Sequence, residues 1–322
     1  MRKLLSAAGA ATVLIASAVA MPAVAQIQGL EIVVPAAPGG GWDQTGRAMQ
    51  NALQEAGLAS GVQVVNIPGA GGTIGLAQFV SSKEGQGDAL MTTGLVMLGA
   101  ILTNQSPVTI EQTTPIARLT GEYEVIAVPA NSEIQTLDDL IAKFKEDPGS
   151  VSWGGGSAGG TDHMLVGLIA KEVGVDPSQI NYIPFAGGGE AVASILGGHV
   201  TAGVSGYQEF VGQIESGGLR AVAISAPERV EGIDVPTLKE QGVDVELTNW
   251  RAVIAPPGIS DEDKQALSDA VAKMVESEAW QNTLKERGWL DLYMPPEEFA
   301  QFLQQDREQV ETVLKEIGLV QQ

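Results

Sequence analysis

The sequence predicts an α/β protein built as two lobes, and three observations carry that prediction. Short β-rich, apolar runs alternate with helical patterns along most of the chain, the order that builds βαβ units and a parallel sheet. Four of the strand-to-helix junctions carry clusters of glycine. The chain has 322 residues, of which about 297 follow an N-terminal targeting segment, a length that suggests two domains.

The targeting segment comes first. Arg2 and Lys3 precede an apolar, alanine-rich stretch over residues 4–20, and Ala23-Val24-Ala25 fits the small-x-small pattern of a signal peptidase site. The expectation is an export signal over residues 1–25, cleavage after Ala25 and a periplasmic mature chain. Nothing later in the sequence is long and apolar enough to span a bilayer.

Residues 30–35 read as a first buried strand and residues 44–56 as the helix after it. Residues 62–67 and 89–94 read as strands, followed by a helix over 74–81 and a helix or turn over 95–103. A β-rich stretch at 125–129 ends in the turn-forming Ala130-Asn131-Ser132. Thr136 then caps a helix whose first turn carries Asp138 and Asp139. Strands are expected at 151–153, 180–184, 202–205 and 221–224, a second α/β unit. A further strand at 249–256 precedes two helices, 261–287 and 295–316, which complete the first unit. The chain therefore crosses between lobes twice and leaves a cleft between them. One lobe comprises residues 26–127 and 248–322, the other residues 128–247.

The glycine clusters are Pro38-Gly39-Gly40-Gly41-Trp42-Asp43, Pro68-Gly69-Ala70-Gly71-Gly72-Thr73, the run 154–161 and Ala186-Gly187-Gly188-Gly189-Glu190. Glycine lets backbone N–H groups approach a ligand with no Cβ in the way. A helix starting just afterwards adds unsatisfied donors and the positive end of its dipole. Several such turns around one cleft would hold a carboxylate or phosphate without any lysine.

Composition narrows the classes. Cysteine is absent, which excludes disulfides, thiolate nucleophiles and cysteine metal sites. Lys and Arg number 18 against 39 Asp and Glu, a net charge of −21. So acidic a surface argues against nucleic acid and anionic lipid as partners. An anionic ligand remains compatible, because salt screens the average field beyond roughly 8–10 Å and local helix ends act at shorter range.

Two enzyme motifs share the third cluster. Residues 154–159 contain G-x-G-x-x-G, but no acid stands on a strand end about 20 residues further on, as a dinucleotide site requires. Residues 155–159 match the G-x-S-x-G nucleophile elbow around Ser157. Its base would have to be His163, in the helix directly after the elbow, or His199, after Gly197-Gly198 at a helix end, and neither place suits one. Two histidines and no cysteine leave no metal set, and no cofactor is expected.

Ligand contacts are better candidates. Gly40, Gly41, Gly71, Gly72, Gly160 and Gly187 offer backbone donors. Asp43 either caps its helix or accepts from the ligand, and Thr73 and Thr161 either cap or donate to a carboxylate. Trp42, Phe185 and Trp250 wall the cleft or belong to the core. Arg47 and Arg251 are the nearest cations, read as salt-bridging residues rather than ligand clamps.

Taken in order, these segments resemble the periplasmic substrate-binding subunits of tripartite tricarboxylate transporters, the Bug-type receptors. The resemblance runs through Val34-Pro35 and the first cluster, then Asn66-Ile67 with the second cluster through Gly75. It continues through Gly159-Gly160-Thr161-Asp162-His163, Ile183-Pro184-Phe185 with the fourth cluster, Leu196 to Val200, and Trp250 to Gly258. It implies a type II periplasmic binding protein that performs no chemistry. Residues 40–43 and 71–73 of the first lobe would grip one ligand carboxylate, with the Thr161 helix start facing them. The Gly-Gly-Gly-Trp-Asp form of the first loop resembles members linked with tricarboxylates such as citrate, dicarboxylates being the next expectation. The implied partners are one large and one small integral-membrane subunit, served by a monomer. The competing readings are a ligand-sensing receptor for a membrane kinase and a serine hydrolase using Ser157.

Overall fold

The computed structural model describes residues 26–185 and 188–321. The export-signal reading and Gly187 therefore lie outside the described residues. Among these residues no helix is long and apolar enough to cross a membrane.

The first lobe begins with β1 (Ile27–Gln28), β2 (Glu31–Val34), α1 (Gly41–Glu55), β3 (Ala59–Ser60), β4 (Gln63–Asn66) and α2 (Thr73–Ser82). It continues with β5 (Ala89–Gly94) and α3 (Leu95–Thr103). β2 is almost wholly apolar and fully buried at Ile32 and Val34, because it lies between β4 and β5, parallel to both. α1 turns Met49, Ala52 and Leu53 onto that sheet.

β6 (Thr114–Pro129) is the organising element, 16 residues long. Its first part pairs antiparallel with β11 (Thr248–Ala255) and β12 (Leu290–Met294), and its last part with β9 (Ala202–Gly206) and β10 (Leu219–Ile224). One strand thus belongs to both lobes. Around it runs a mixed sheet in the order β4-β2-β5-β11-β6-β9-β7-β8, with β10 and β12 both joined to β6. Parallel βαβ units occur at each end, where β2 pairs with β4 and β5, and where β7 (Ser152–Gly155) pairs with β8 (Asn181–Pro184) and β9. The pairs around β6 are antiparallel because the chain passes between the lobes and returns.

The second lobe adds α4 (Leu137–Glu146), α5 (Thr161–Glu172), α6 (Gly188–Leu196) and α7 (Tyr207–Glu215). α4 opens with the expected cap. Thr136 Oγ1 accepts from the Asp139 N–H, and an Asp139 carboxylate oxygen accepts from the Thr136 N–H. The return crossing leads into β11, and the C-terminal part adds α8 (Asp261–Glu276), α9 (Glu278–Arg287) and α10 (Pro296–Glu316) to the first lobe. The single helix expected over 261–287 is broken at Ser277, which ends α8 and caps α9 through the Trp280 N–H.

Ser225 ties the two crossings together. Its Oγ accepts from the Glu124 N–H at 2.9 Å and donates to the Leu247 carbonyl at 2.6 Å. Each lobe has its own apolar core, around Ile32, Leu90 and Met274 in the first and around Phe144, Trp153 and Val204 in the second.

Candidate ligand-binding site

Strand ends and helix starts from both lobes line a partly open cavity of about 180 Å³. The first lobe contributes Gly40, Gly41 and Trp42 at the start of α1, and the 69–72 turn before α2. The second contributes Gly156, Ser157, Gly160, Thr161 and Asp162 around the start of α5, Phe185, and Ser205, Gly206 and Glu209 around the start of α7. Asn249 and Arg251 on β11 form the floor between the lobes.

Local sequence explains the first-lobe turns. Gly71 and Gly72 both have left-handed φ, +61° and +91°, which only glycine adopts without strain. A Cβ on Gly72 would also lie 2.8 Å from the Trp42 ring and 2.9 Å from Met97, so the two turns are packed together by Trp42.

Asp43 does not line the cavity. It is buried and accepts from the Gly39 N–H, Arg47 Nε and Asn66 Nδ2, each at 2.9 Å. Burial on its own would raise its pKa, but these hydrogen bonds and the Arg47 charge outweigh it and hold the carboxyl below its usual range. Asp43 thereby fixes the first glycine loop to both α1 and β4. Thr73 donates to the Ala70 carbonyl at 2.9 Å, closing the second loop, and is likewise absent from the lining. Trp250 is core. Its ring packs edge-on against Phe299 and Phe302, and Nε1 donates to Asp306. Thr161 lines the cavity, fully buried, with Oγ1 3.3 Å from Asn249 Oδ1.

The site also contains acids that local sequence patterns do not single out. Glu122 on β6 forms a buried ion pair with Arg251. Burial pushes the Arg251 guanidinium down to about 9, with repulsion from Arg287 adding to it, which leaves it charged at neutral pH. Its Nη1 is buried and unpartnered among the described residues. Asp162 accepts from the Gly156 N–H, yet burial pushes its pKa up to about 7, with Glu209 adding repulsion. Behind it, burial and the neighbouring Asp162 raise Glu124 well above the usual carboxylate range. Two adjacent carboxyls beside Asn249, away from solvent, favour sharing a proton. Glu209 reaches across from α7 and accepts from the Gly41 N–H at 2.9 Å.

His163 does not serve the elbow at Ser157 as a base. His163 spends Nδ1 on the Gly159 N–H at 3.2 Å, stacks on Tyr182, and burial pushes its pKa down to about 4.

An α/β chain folded as two lobes about shared crossing strands, with glycine turns and helix starts of both lobes lining one cleft, has the build of a solute-binding protein. The family model for the tripartite tricarboxylate transporter family receptor matches residues 46–319, and the chain belongs to that family. It is 28% identical over 294 residues to protein BugT of Bordetella pertussis, covering 90% of this chain and 89% of that protein. Among solved structures it resembles the periplasmic binding protein BugD, with a TM-score of 0.82, 23% identity, and coverage of 92% of this chain and 99% of that one. It also resembles MatC from Rhodopseudomonas palustris with bound malate, with a TM-score of 0.79, 23% identity, and coverage of 89% and 99%. The family is one of periplasmic receptors and not of enzymes.

Proposed function

We propose that this receptor captures a small carboxylate in the interlobe cavity and hands it to the large and small membrane subunits of a tripartite transporter. The observation that carries the reading is the convergence of the α1 start, the 69–72 turn and the α5 start on one cavity. Each presents glycine backbone to the cavity with no Cβ in the way, and the α1 and α5 starts add the positive ends of their helix dipoles. Gly40 and Gly71 supply donors, Gly41 does so once Glu209 gives up its N–H, and Trp42 and Phe185 form the apolar walls. The N–H groups of Gly72 and Gly160 instead close their own turns on the Gly69 and Ser157 carbonyls, each at 2.9 Å, and the Thr161 hydroxyl is turned to Asn249.

Which carboxylate follows from the charges. Asp162 and Glu209 line the second-lobe side, and the one guanidinium in the lining is already matched by Glu122. A third anionic group would meet acid rather than a counter-ion. The reading is therefore a mono- or dicarboxylate in place of a tricarboxylate such as citrate, and the malate held by MatC is in keeping with it. The small volume fits a metabolite better than a drug-sized molecule.

Thermal melting of the mature protein with acetate, succinate, malate and citrate, each beside its carboxamide analogue, tests the reading. The acids raise the melting temperature and the amides leave it unchanged. Equal stabilisation by the amides contradicts it. Co-purification with the two membrane subunits tests the hand-over, and the mass of the exported chain tests cleavage after Ala25.

A further inference from the structure

Glu209 lies in the first turn of α7, in the second lobe. Its carboxylate spans the cleft. One oxygen accepts from the backbone N–H of Gly41 at 2.9 Å, and the other accepts from Ser205 Oγ, on its own lobe, at 2.7 Å. The Gly41 N–H is the first of α1 and has no acceptor within the helix. A carboxylate of the chain's own thus holds a donor of the kind that a ligand carboxylate requires.

We infer that Glu209 is a built-in competitor for the ligand carboxylate, exchanged for it at the Gly41 N–H when the receptor loads, and so an affinity-determining residue. The inference rests on the carboxylate reading of the site. The exchange is balanced. The bond from the Gly41 N–H to Glu209 breaks, a bond from the same N–H to the ligand forms, and Glu209 stays on Ser205.

The surroundings make displacement feasible. Among the described residues no cation forms an ion pair with Glu209, and the nearby Arg251 is paired with Glu122. Burial raises its pKa, and only the bonds from Ser205 and Gly41 oppose that rise. A ligand carboxylate at the Gly41 N–H and a Glu209 that stayed in place would be like charges at one helix end. Only one of the two can hold the donor. The bond also joins the lobes, so while Glu209 keeps it the binding-competent arrangement is a fraction of the population, and apparent affinity falls by that fraction.

Calorimetric titration of the mature wild type, Glu209→Gln and Ser205→Ala with acetate, succinate, malate and citrate at fixed ionic strength tests the inference. Glutamine keeps the shape and removes the charge. It binds the preferred acid about tenfold more tightly, because charge-assisted hydrogen bonds are roughly twice as strong as neutral ones. Its melting temperature without added acid falls. A merely structural role would lower affinity and melting temperature together, whereas the competitor role moves them in opposite directions. Ser205→Ala, which frees one Glu209 oxygen, tightens binding by about threefold. Wild-type binding together with unchanged or weaker binding by the variants overturns the inference alone. A wild type that binds none of the four acids removes the carboxylate reading, and the inference with it.

Discussion

The guanidinium of Arg251 and the carboxylate of Glu122 form a buried ion pair on β11 and β6, two adjacent strands at the crossings between the lobes. The pair is wedged between two helix starts. A Cβ on Gly41 would overlap the Arg251 guanidinium, and one on Gly206 would overlap the Glu122 carboxylate. Sequence elements far apart in the chain therefore share one requirement, glycine beside a buried charge.

Removing one partner leaves the other charged and unpaired. Arg251→Met is expected to destabilise the protein by about 3–5 kcal/mol, while the double replacement Arg251→Met, Glu122→Met recovers part of the loss. Urea unfolding measures both. A loss below about 1 kcal/mol for Arg251→Met, the range of an exposed ion pair, would show that the pair contributes little.

Gly41→Ala separates helix propensity from close approach. Alanine inside a helix is ordinarily favoured over glycine by about 0.5–1 kcal/mol. Gly212, within α7, has open space around its Cβ position and serves as the control, with Gly212→Ala expected to stabilise by about that amount. Gly41→Ala instead displaces Arg251, lowers the melting temperature and weakens carboxylate binding by at least about tenfold, since a misplaced donor group loses its charge-assisted bond. A stabilised Gly41→Ala with intact affinity would contradict the packing at the α1 start.

Asp43→Ala releases the first glycine loop from α1 and β4. Stability falls on the order of 2 kcal/mol for the lost hydrogen bonds to a charged group. Its pH dependence has a fixed sign. The folded pKa of Asp43 is depressed, so its contribution is complete above the unfolded value near 3.9 and is lost as pH falls through the folded value. The stability difference between wild type and variant should shrink below about pH 4. A constant difference down to pH 2 would speak against the ionised carboxylate as the anchor.

Asp162 carries the opposite sign. Its folded pKa, about 7, lies above the unfolded value near 3.9, so the native state binds more protons between those values. Stability from this group is complete below about pH 4 and is lost as pH rises through 7. Asp162→Asn escapes the loss. Its unfolding free energy should gain on the wild type between pH 5 and 8, by an amount on the order of 2–4 kcal/mol at about 1.4 kcal/mol per pKa unit. A difference that does not grow with pH would contradict the buried pairing of Asp162 with Glu124.

Much of the fold was legible where local pattern and tertiary role agree. β5 and α3 begin and end at the residues their apolar runs mark, 89–94 and 95–103. β6 was legible only over its last five residues. Arg118, Gly121, Glu122 and Glu124 interrupt its first eleven, and these acids are buried for reasons that lie in other segments. β12 was hidden between two helical patterns and earns its place by pairing with β6. In the cavity, the glycine turns stood out because backbone donors need no side-chain code. Glu209, Asp162 and Glu124 did not, because the chain has 39 acids and only the fold brings these three from α7, α5 and β6 to one place. Asp43 and Thr73 looked like contacts because they end glycine motifs, and Trp250 because an aromatic can wall a cleft; the partners that hold Asp43 and Trp250, Asn66 and Asp306, were out of local reach.

The central claim is that helix-start N–H groups in the interlobe cavity hold a carboxylate. Calorimetric titration of the mature receptor with its preferred small acid and with the corresponding carboxamide tests this most directly. The account predicts saturable one-to-one binding of the acid and at least about a hundredfold weaker binding of the amide, the loss of two charge-assisted hydrogen bonds. Equal affinity for acid and amide would contradict it.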